Sequence, residues 1–222
     1  MSLKSGITIF SSQKGPFKIM DSDRNTIWHK GHIIKSDRNH LNMHDSGVIW
    51  FTGLSASGKS TIAHLIEKKL YEEKIRAYVF DGDNIRHGLN VNLGFSDDDR
   101  KENIRRIVEV AKLFVDAGIV ILTAFITPFR KQREFIRHQF KGMNYIEVYV
   151  KCDLEECIRR DPKGLYEKAQ AGIIKNYTGI SSPFEEPDNP DLILDTSKLS
   201  IDDSVDRVLK YLKVTDFLKI QE

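Results

Sequence analysis

Long apolar runs are missing from this 222-residue sequence. No stretch approaches the roughly 18–20 apolar residues needed to span a bilayer, and the opening MSLKSGITIFSSQKG lacks the apolar core of a secretory signal. Cysteine is scarce: Cys152 and Cys157 stand alone in CDLEEC, a spacing that makes neither a CxxC pair nor a zinc half-site, and two thiols cannot frame a disulfide scaffold. An excess of one charge is missing too. With 34 Lys+Arg against 32 Asp+Glu the net charge is +2, where a nucleic-acid-coating protein carries a strong basic surplus. These absences predict a soluble cytoplasmic chain with reduced thiols and neither nucleic acid nor membrane as partner. What is present is globular material: 40% hydrophobic and 30% charged residues suit one α/β domain with a real core.

Residues 1–24 are rich in Ser, Lys and Gly and read as an extension, with a single domain over 25–222. The polar stretch 26–46 holds His29, His32, His40 and His44. His40 and His44 could share a metal if helical, but no third ligand is evident and Asn42 and Asp45 favour loops, so the expectation is a solvated lead-in. From Gly47 onward apolar runs alternate with amphipathic stretches. The runs Val48–Phe51, Ala77–Phe80, Ile119–Phe125, Tyr145–Val150 and Leu192–Leu194 are β-branched or aromatic and mostly continuous, as strands buried on both faces should be. Between them, Lys59–Lys74, Asp97–Ala117 and Ile201–Lys213 repeat apolar residues at helical spacing; Ser96 is the expected N-cap of the second and Gly118 its C′ residue. Alternating strands and helices predict a three-layer α/β fold, a parallel sheet with helices on both faces.

The most specific signal is Gly53-Leu54-Ser55-Ala56-Ser57-Gly58-Lys59-Ser60, followed by Thr61, an instance of GxxxxGK[ST] between a predicted strand and a predicted helix. Glycines let the backbone curl until successive N–H groups face one anion, and the following helix adds the positive end of its dipole. Lys59 supplies a mobile charge for β- and γ-phosphates, and the Ser60 hydroxyl can ligate Mg²⁺. Nucleotide binding is the expectation; a Gly/Ser turn with an exposed lysine is the bland alternative.

No guanine-reading NKxD occurs, and the strand Ala77–Phe80 ends in Asp81-Gly82-Asp83 instead of an Asp-Glu Walker-B pair. Carboxylates at the carboxyl end of a parallel strand lie where ligands bind. One could hold Mg²⁺ while the other orients or deprotonates a hydroxyl; the same tripeptide is also good turn chemistry. Arg159 and Arg160 before Asp161-Pro162-Lys163-Gly164 are suited to a lid that neutralises a transferring phosphoryl group, or to a charged helix end. A small-molecule kinase is therefore preferred to a non-catalytic nucleotide-binding regulator.

Gly53–Thr61, Phe80–Asn90 (FDGDNIRHGLN), Leu93–Ser96 (LGFS), Arg100–Arg106 (RKENIRR), Ala124–Arg130 (AFITPFR), Asp161–Tyr166 (DPKGLY) and Lys175–Ile180 (KNYTGI) together resemble the adenylyl-sulfate kinase family, from about Trp28 to the last helix. The resemblance implies transfer of a phosphoryl group from ATP, with Mg²⁺, to the 3′-hydroxyl of adenylyl sulfate, and a homodimer. It implies ATP contacts from residues 53–61, Arg160 and Leu199, and metal contacts from Ser60 and Asp81. Substrate contacts are implied for Asp81, Asp83, Asn84, Arg86, Phe95, Arg100, Asn103, Ile126, Thr127, Lys163 and Tyr177, with Phe95 stacked on adenine. Lys59, Asp81, Asp83 and Thr127 form the implied catalytic set, Asp81 being preferred over Asp83 for the substrate hydroxyl and Lys59 and Arg160 carrying developing charge. Family members commonly carry Ser where this chain has Thr127, and a phosphorylated serine has been described there as an intermediate. Direct in-line transfer needs positioning and charge stabilisation but no covalent stop, so Thr127 is expected to touch substrate without being an obligatory phosphoryl carrier.

Overall fold

The computed structural model describes residue 27 and residues 29–219; the extension 1–24 and Trp28 lie outside the described residues. The chain divides into a unit of residues 1–32, whose few described residues are exposed and irregular, and a unit of residues 33–222 that holds every element below.

Each of the five apolar runs forms a strand: β1 (Gly47–Thr52), β2 (Ala77–Asp81), β3 (Val120–Ala124), β4 (Asn144–Lys151) and β5 (Leu192–Asp195). They make one parallel sheet in the order β2-β3-β1-β4-β5. β1 lies at its centre, with all six residues buried, which explains why VIWF shows no polar alternation. Helices α2 (Lys59–Glu72) and α8 (Ile201–Val214) cover one face, packing Ile62, Ile66, Val205 and Val208 on Ile49, Phe51 and Val148. Helices α4 (Asp97–Asp116) and α5 (Arg130–Gln139) cover the other, packing Ile104, Ile107 and Ile136 on Val48, Trp50 and Ile121. The three-layer expectation is met. Ser96 caps α4 by accepting from the Asp99 amide at 3.2 Å, and Gly118 closes it with φ +82°, its successor Ile119 donating back to Phe114 O at 3.0 Å.

Three short helices complete the unit: α3 (Gly82–His87), α6 (Leu154–Arg160) and α7 (Leu165–Gln170). α3 stands where Asp-Gly-Asp could also have formed a turn: Asp81 caps a helix there by accepting the Asp83 N–H at 2.9 Å.

The lead-in is corrected as well. Residues Lys35–Asn42 form helix α1 and are held by partners far along the chain. Arg38 bonds the Asp116 carboxylate at 2.8 Å, and Asn42 donates to Gly118 O at 2.8 Å. His44 is buried, with Nε2 accepting the Arg76 N–H at 3.0 Å and Nδ1 placed 2.8 Å from Asp45 O. A neutral ring with its proton on Nδ1 satisfies both contacts. Among the described residues no group of three or more His, Cys, Asp or Glu could hold a metal. Both cysteines are free and buried, and no described helix is long and apolar enough to cross a membrane.

His44→Ala should therefore leave the Arg76 amide unpaired and cost about 1–3 kcal/mol, read as a lower urea midpoint, while chelators leave the parent protein's midpoint unchanged. A variant as stable as the parent would remove this bond from the account of α1.

Candidate active site

β1, β2 and β3 all end at one edge of the sheet, and the loops leaving them surround a cleft of about 740 Å³. A second hollow of about 820 Å³ flanks α2 near Tyr71 and Arg76 and reaches only the first residue of β2, Ala77, with no glycine-rich loop and no carboxyl end of a strand.

The loop after β1 builds one wall. Gly53 has φ +148°, and a Cβ there would lie 2.4 Å from Val150 O, so the close approach admits only glycine. Ala56 and Gly58 also have positive φ, the curl that turns amides inward. From outside, Tyr166 donates to Ser55 O at 3.1 Å and Thr196 to Ser57 O at 2.9 Å. Ser55, Ala56, Gly58, Lys59, Ser60 and Thr61 face the cleft, whereas Gly53, Leu54 and Ser57 sit behind it as backbone supports. Lys59 Nζ rests on Leu54 O at 2.5 Å and lies 3.4 Å from Ser57 Oγ.

β2 delivers Asp81 to the opposite wall, 8% exposed. Oδ1 accepts the Asp83 amide, which leaves Oδ2 and a second lone pair of Oδ1 as acceptors. Asp83 is exposed and paired with Lys163 from the segment between α6 and α7. Ser60 and Asp81 thus bring a hydroxyl and a carboxylate to one cleft. Such hard oxygen donors, few in number, suit Mg²⁺, which takes one or two protein ligands beside phosphates and water.

The far end of the cleft joins aromatic and cationic groups. Phe95 is 64% exposed at the rim, and the Arg86 guanidinium lies 4.3 Å above its ring. Arg86 also donates to Leu93 O and Gly94 O at 3.1 and 2.9 Å, so it shapes the loop that presents Phe95. Arg100 spans to the other rim, donating to Asn176 O at 2.5 Å, Thr178 Oγ1 at 3.2 Å and its neighbour Phe95 O at 3.0 Å. Asn103 Oδ1 accepts from Asn90 at 2.9 Å, which leaves its amide N–H groups as donors. Tyr177 enters the lining from residues 173–178, set edge-on to Tyr166 at 5.1 Å. Ile126 and Thr127 form the floor.

Besides Gly53, Leu54 and Ser57, three expected residues stay out of the cleft lining. Asn84 is exposed on α3. Arg160 sits beside the cleft: its guanidinium bonds Glu156 at 2.8 Å and Thr196 O at 2.6 Å and lies 3.5 Å from Ala56 O, so in the ligand-free protein it braces the back of the phosphate loop. Leu199 lies in the turn after β5, its amide bonded to Asp195 O at 2.9 Å. Conversely, Gln132 escaped the sequence reading. It lines the cleft from the first turn of α5, is 6% exposed, and its Oε1 has no hydrogen-bond partner. Its place in a charged KQRE run gave no signal.

Comparison with known proteins gives one family. The family model described as adenylylsulphate kinase matches residues 45–195. The chain is 58% identical over 186 residues to a probable adenylyl-sulfate kinase of Halalkalibacterium halodurans, covering 84% of this chain and 92% of that one. It is 52% identical to an adenylyl-sulfate kinase of Oceanobacillus iheyensis, covering 90% and 100%. Among solved structures, a Mycobacterium tuberculosis APS kinase in complex with AMPPNP and APS matches with a TM-score of 0.74 at 48% identity, covering 76% of this chain and 98% of that one.

Burial is the main force on Lys59, lowering its pKa to about 8, although the Asp81 carboxylate pulls the other way. At neutral pH the ammonium persists; above pH 8 the ligand-free protein loses it. A bound polyphosphate restores the charge, so binding above pH 8 must take up a proton, and affinity falls as pH rises. Calorimetry of ATP binding at pH 8.5, in two buffers of different ionisation enthalpy, should show uptake of about three-quarters of a proton. No uptake would mean that Lys59 never becomes neutral.

Proposed function

The chain belongs to the adenylyl-sulfate kinase family and is an enzyme of that class, and we propose that its cleft moves the γ-phosphoryl group of ATP onto the 3′-hydroxyl of adenylyl sulfate, giving ADP and 3′-phosphoadenylyl sulfate. The observation that carries this reading is the union, in one cleft, of the phosphate loop with a wall of exposed ring and arginines. A phosphate site alone fits any nucleotide kinase. The second wall asks for an acceptor that is both flat and anionic.

Phosphoryl transfer leaves the protein little covalent work, so its task is positioning and charge stabilisation. The amides that the loop turns into the cleft, at Ser55, Ala56 and Gly58–Thr61, would wrap the ATP phosphates, with Lys59 set against the developing charge. Ser60 and Asp81 are the residues that would hold Mg²⁺. When bound, the ion neutralises the β- and γ-phosphates. On the acceptor side, Phe95 and Tyr177 offer ring faces to the purine. Arg86, Arg100, Asn103 and Lys163 offer donors to the phosphosulfate and ribose, above the floor of Ile126 and Thr127. Asp81 orients the 3′-hydroxyl and receives its proton, being buried in the cleft wall with Oδ2 clear of the Asp83 amide, whereas Asp83 lies exposed at the mouth. Thr127 contacts substrate without carrying the phosphoryl group. A homodimer in the cytoplasm belongs to the same reading, and light scattering checks the assembly.

A coupled ADP-release assay should show rapid turnover with adenylyl sulfate and little with AMP, which lacks the sulfo group; equal turnover would overturn the assignment. Asp81→Asn keeps the acceptor for the Asp83 amide and should lower kcat by about 10²–10⁴ with ATP affinity little changed. Near-normal turnover would remove Asp81 from the mechanism.

A further inference from the structure

Trp50 lies in the middle of β1 with no exposed surface. An indole N–H in a dry interior requires an acceptor, and this one finds Thr127 Oγ1 at 3.1 Å. Thr127 is itself unusual. It is 2% exposed and has φ +45°, a left-handed conformation that β-branched residues rarely adopt. Such a conformation persists only where its surroundings over-determine it, and here they do. Arg133 Nη1 donates to Thr127 O at 2.6 Å, the Thr52 hydroxyl and Gly53 amide donate to Ile126 O at 2.7 and 3.3 Å, and the Glu185 amide donates to Pro128 O at 2.9 Å. Arg133 is fixed in turn: it is 3% exposed, bonds Glu185 O at 2.6 Å and lies 3.5 Å from the buried Glu147 carboxylate.

A threonine hydroxyl has a single proton to donate and lone pairs to accept with. Trp50 occupies the accepting side, so the O–H is directed away from the indole, at a residue that lines the cleft. We propose that Trp50 and Arg133 are positioning residues that hold Thr127 as a hydrogen-bond donor to the anionic phosphosulfate of the acceptor, Trp50 by fixing the hydroxyl and Arg133 by fixing the backbone beneath it. This rests on the reading of the cleft as an adenylyl-sulfate site. It also gives a physical reason for Thr127 not to attack phosphorus, since an oxygen already accepting an N–H is a poorer nucleophile.

The test is a double-mutant cycle on the full chain. Trp50→Phe should raise KM for adenylyl sulfate about three- to tenfold, the size of one neutral hydrogen bond, while KM for ATP stays near the parent value; the thermal midpoint falls, since the smaller ring leaves a cavity at a fully buried site. Thr127→Ala should do at least as much. The double variant should be no worse than Thr127→Ala alone, because without the hydroxyl the indole has nothing to position. Arg133→Lys should show the same separation of the two KM values. Multiplying losses in the double variant, or equal effects on both KM values, would overturn the proposal. Should Trp50→Phe fail to fold, NMR of the parent protein serves instead. The indole N–H resonance that moves in Thr127→Ala must also shift on titration with adenylyl sulfate in the presence of ADP; a resonance indifferent to adenylyl sulfate would overturn it. Failure of the parent to phosphorylate adenylyl sulfate would sink the functional reading. Normal turnover with multiplying losses would sink only the positioning role.

Discussion

The carbonyl of Ile126 holds the two halves of the cleft together. It accepts the Gly53 amide from the phosphate loop and the Thr52 hydroxyl from the last residue of β1, extending the β1–β3 pairing past the ends of both strands. The glycine-rich loop after β1 and the turn at Thr127 are therefore one hydrogen-bonded piece. The same residue, Gly53, approaches Val150 O so closely that no side chain fits, which ties β4 into the junction. Reactants in a direct transfer must be held within a fraction of an ångström. A shared carbonyl at the meeting of three central strands supplies that rigidity more cheaply than separate loops could.

Around this junction the cations are parked. Lys59 rests on Leu54 O, Arg86 on Leu93 O and Gly94 O, Arg100 on Asn176 O, and Lys163 on Asp83. Three of the four sit on neutral carbonyls. An anionic ligand would replace those bonds with charge-assisted ones of roughly twice the strength, so binding exchanges partners without having to create order from nothing. For Lys59 the gain is greatest, because its buried ammonium otherwise lacks a counter-charge in contact with it.

The sheet and the phosphate loop were legible in the sequence because both are local: continuous apolar runs, a motif of eight residues, Ser96 and Gly118 as caps. The wall of rings and arginines was legible only through family resemblance, since Tyr177 lies 77 positions beyond Arg100 and neither Phe95 nor Arg100 announces itself. Helix α1 escaped because its anchors, Asp116 and Gly118, lie more than seventy positions away, and local propensity cannot anticipate them. Trp50 read as one more apolar strand residue, its hydrogen-bond partner being 77 positions on. Arg160 is braced by Glu156, one turn earlier, and by Thr196, 36 positions on; a local reading does not reach the second partner.

The contacts also differ in permanence according to depth, in a way that suits turnover. On the floor, the Arg133–Glu147 pair is 4% and 6% exposed; parting such charges would strand them without water, so this layer stays fixed. At the mouth, Lys163 and Asp83 are 57% and 59% exposed, and a pair that wet is held by little more than thermal energy. A kinase must exclude water during transfer and then release two charged products. Strong bonds below and weak bonds above satisfy both needs: the mouth can open in every cycle while the strained turn at Thr127 and the loop at Gly53 keep their relation.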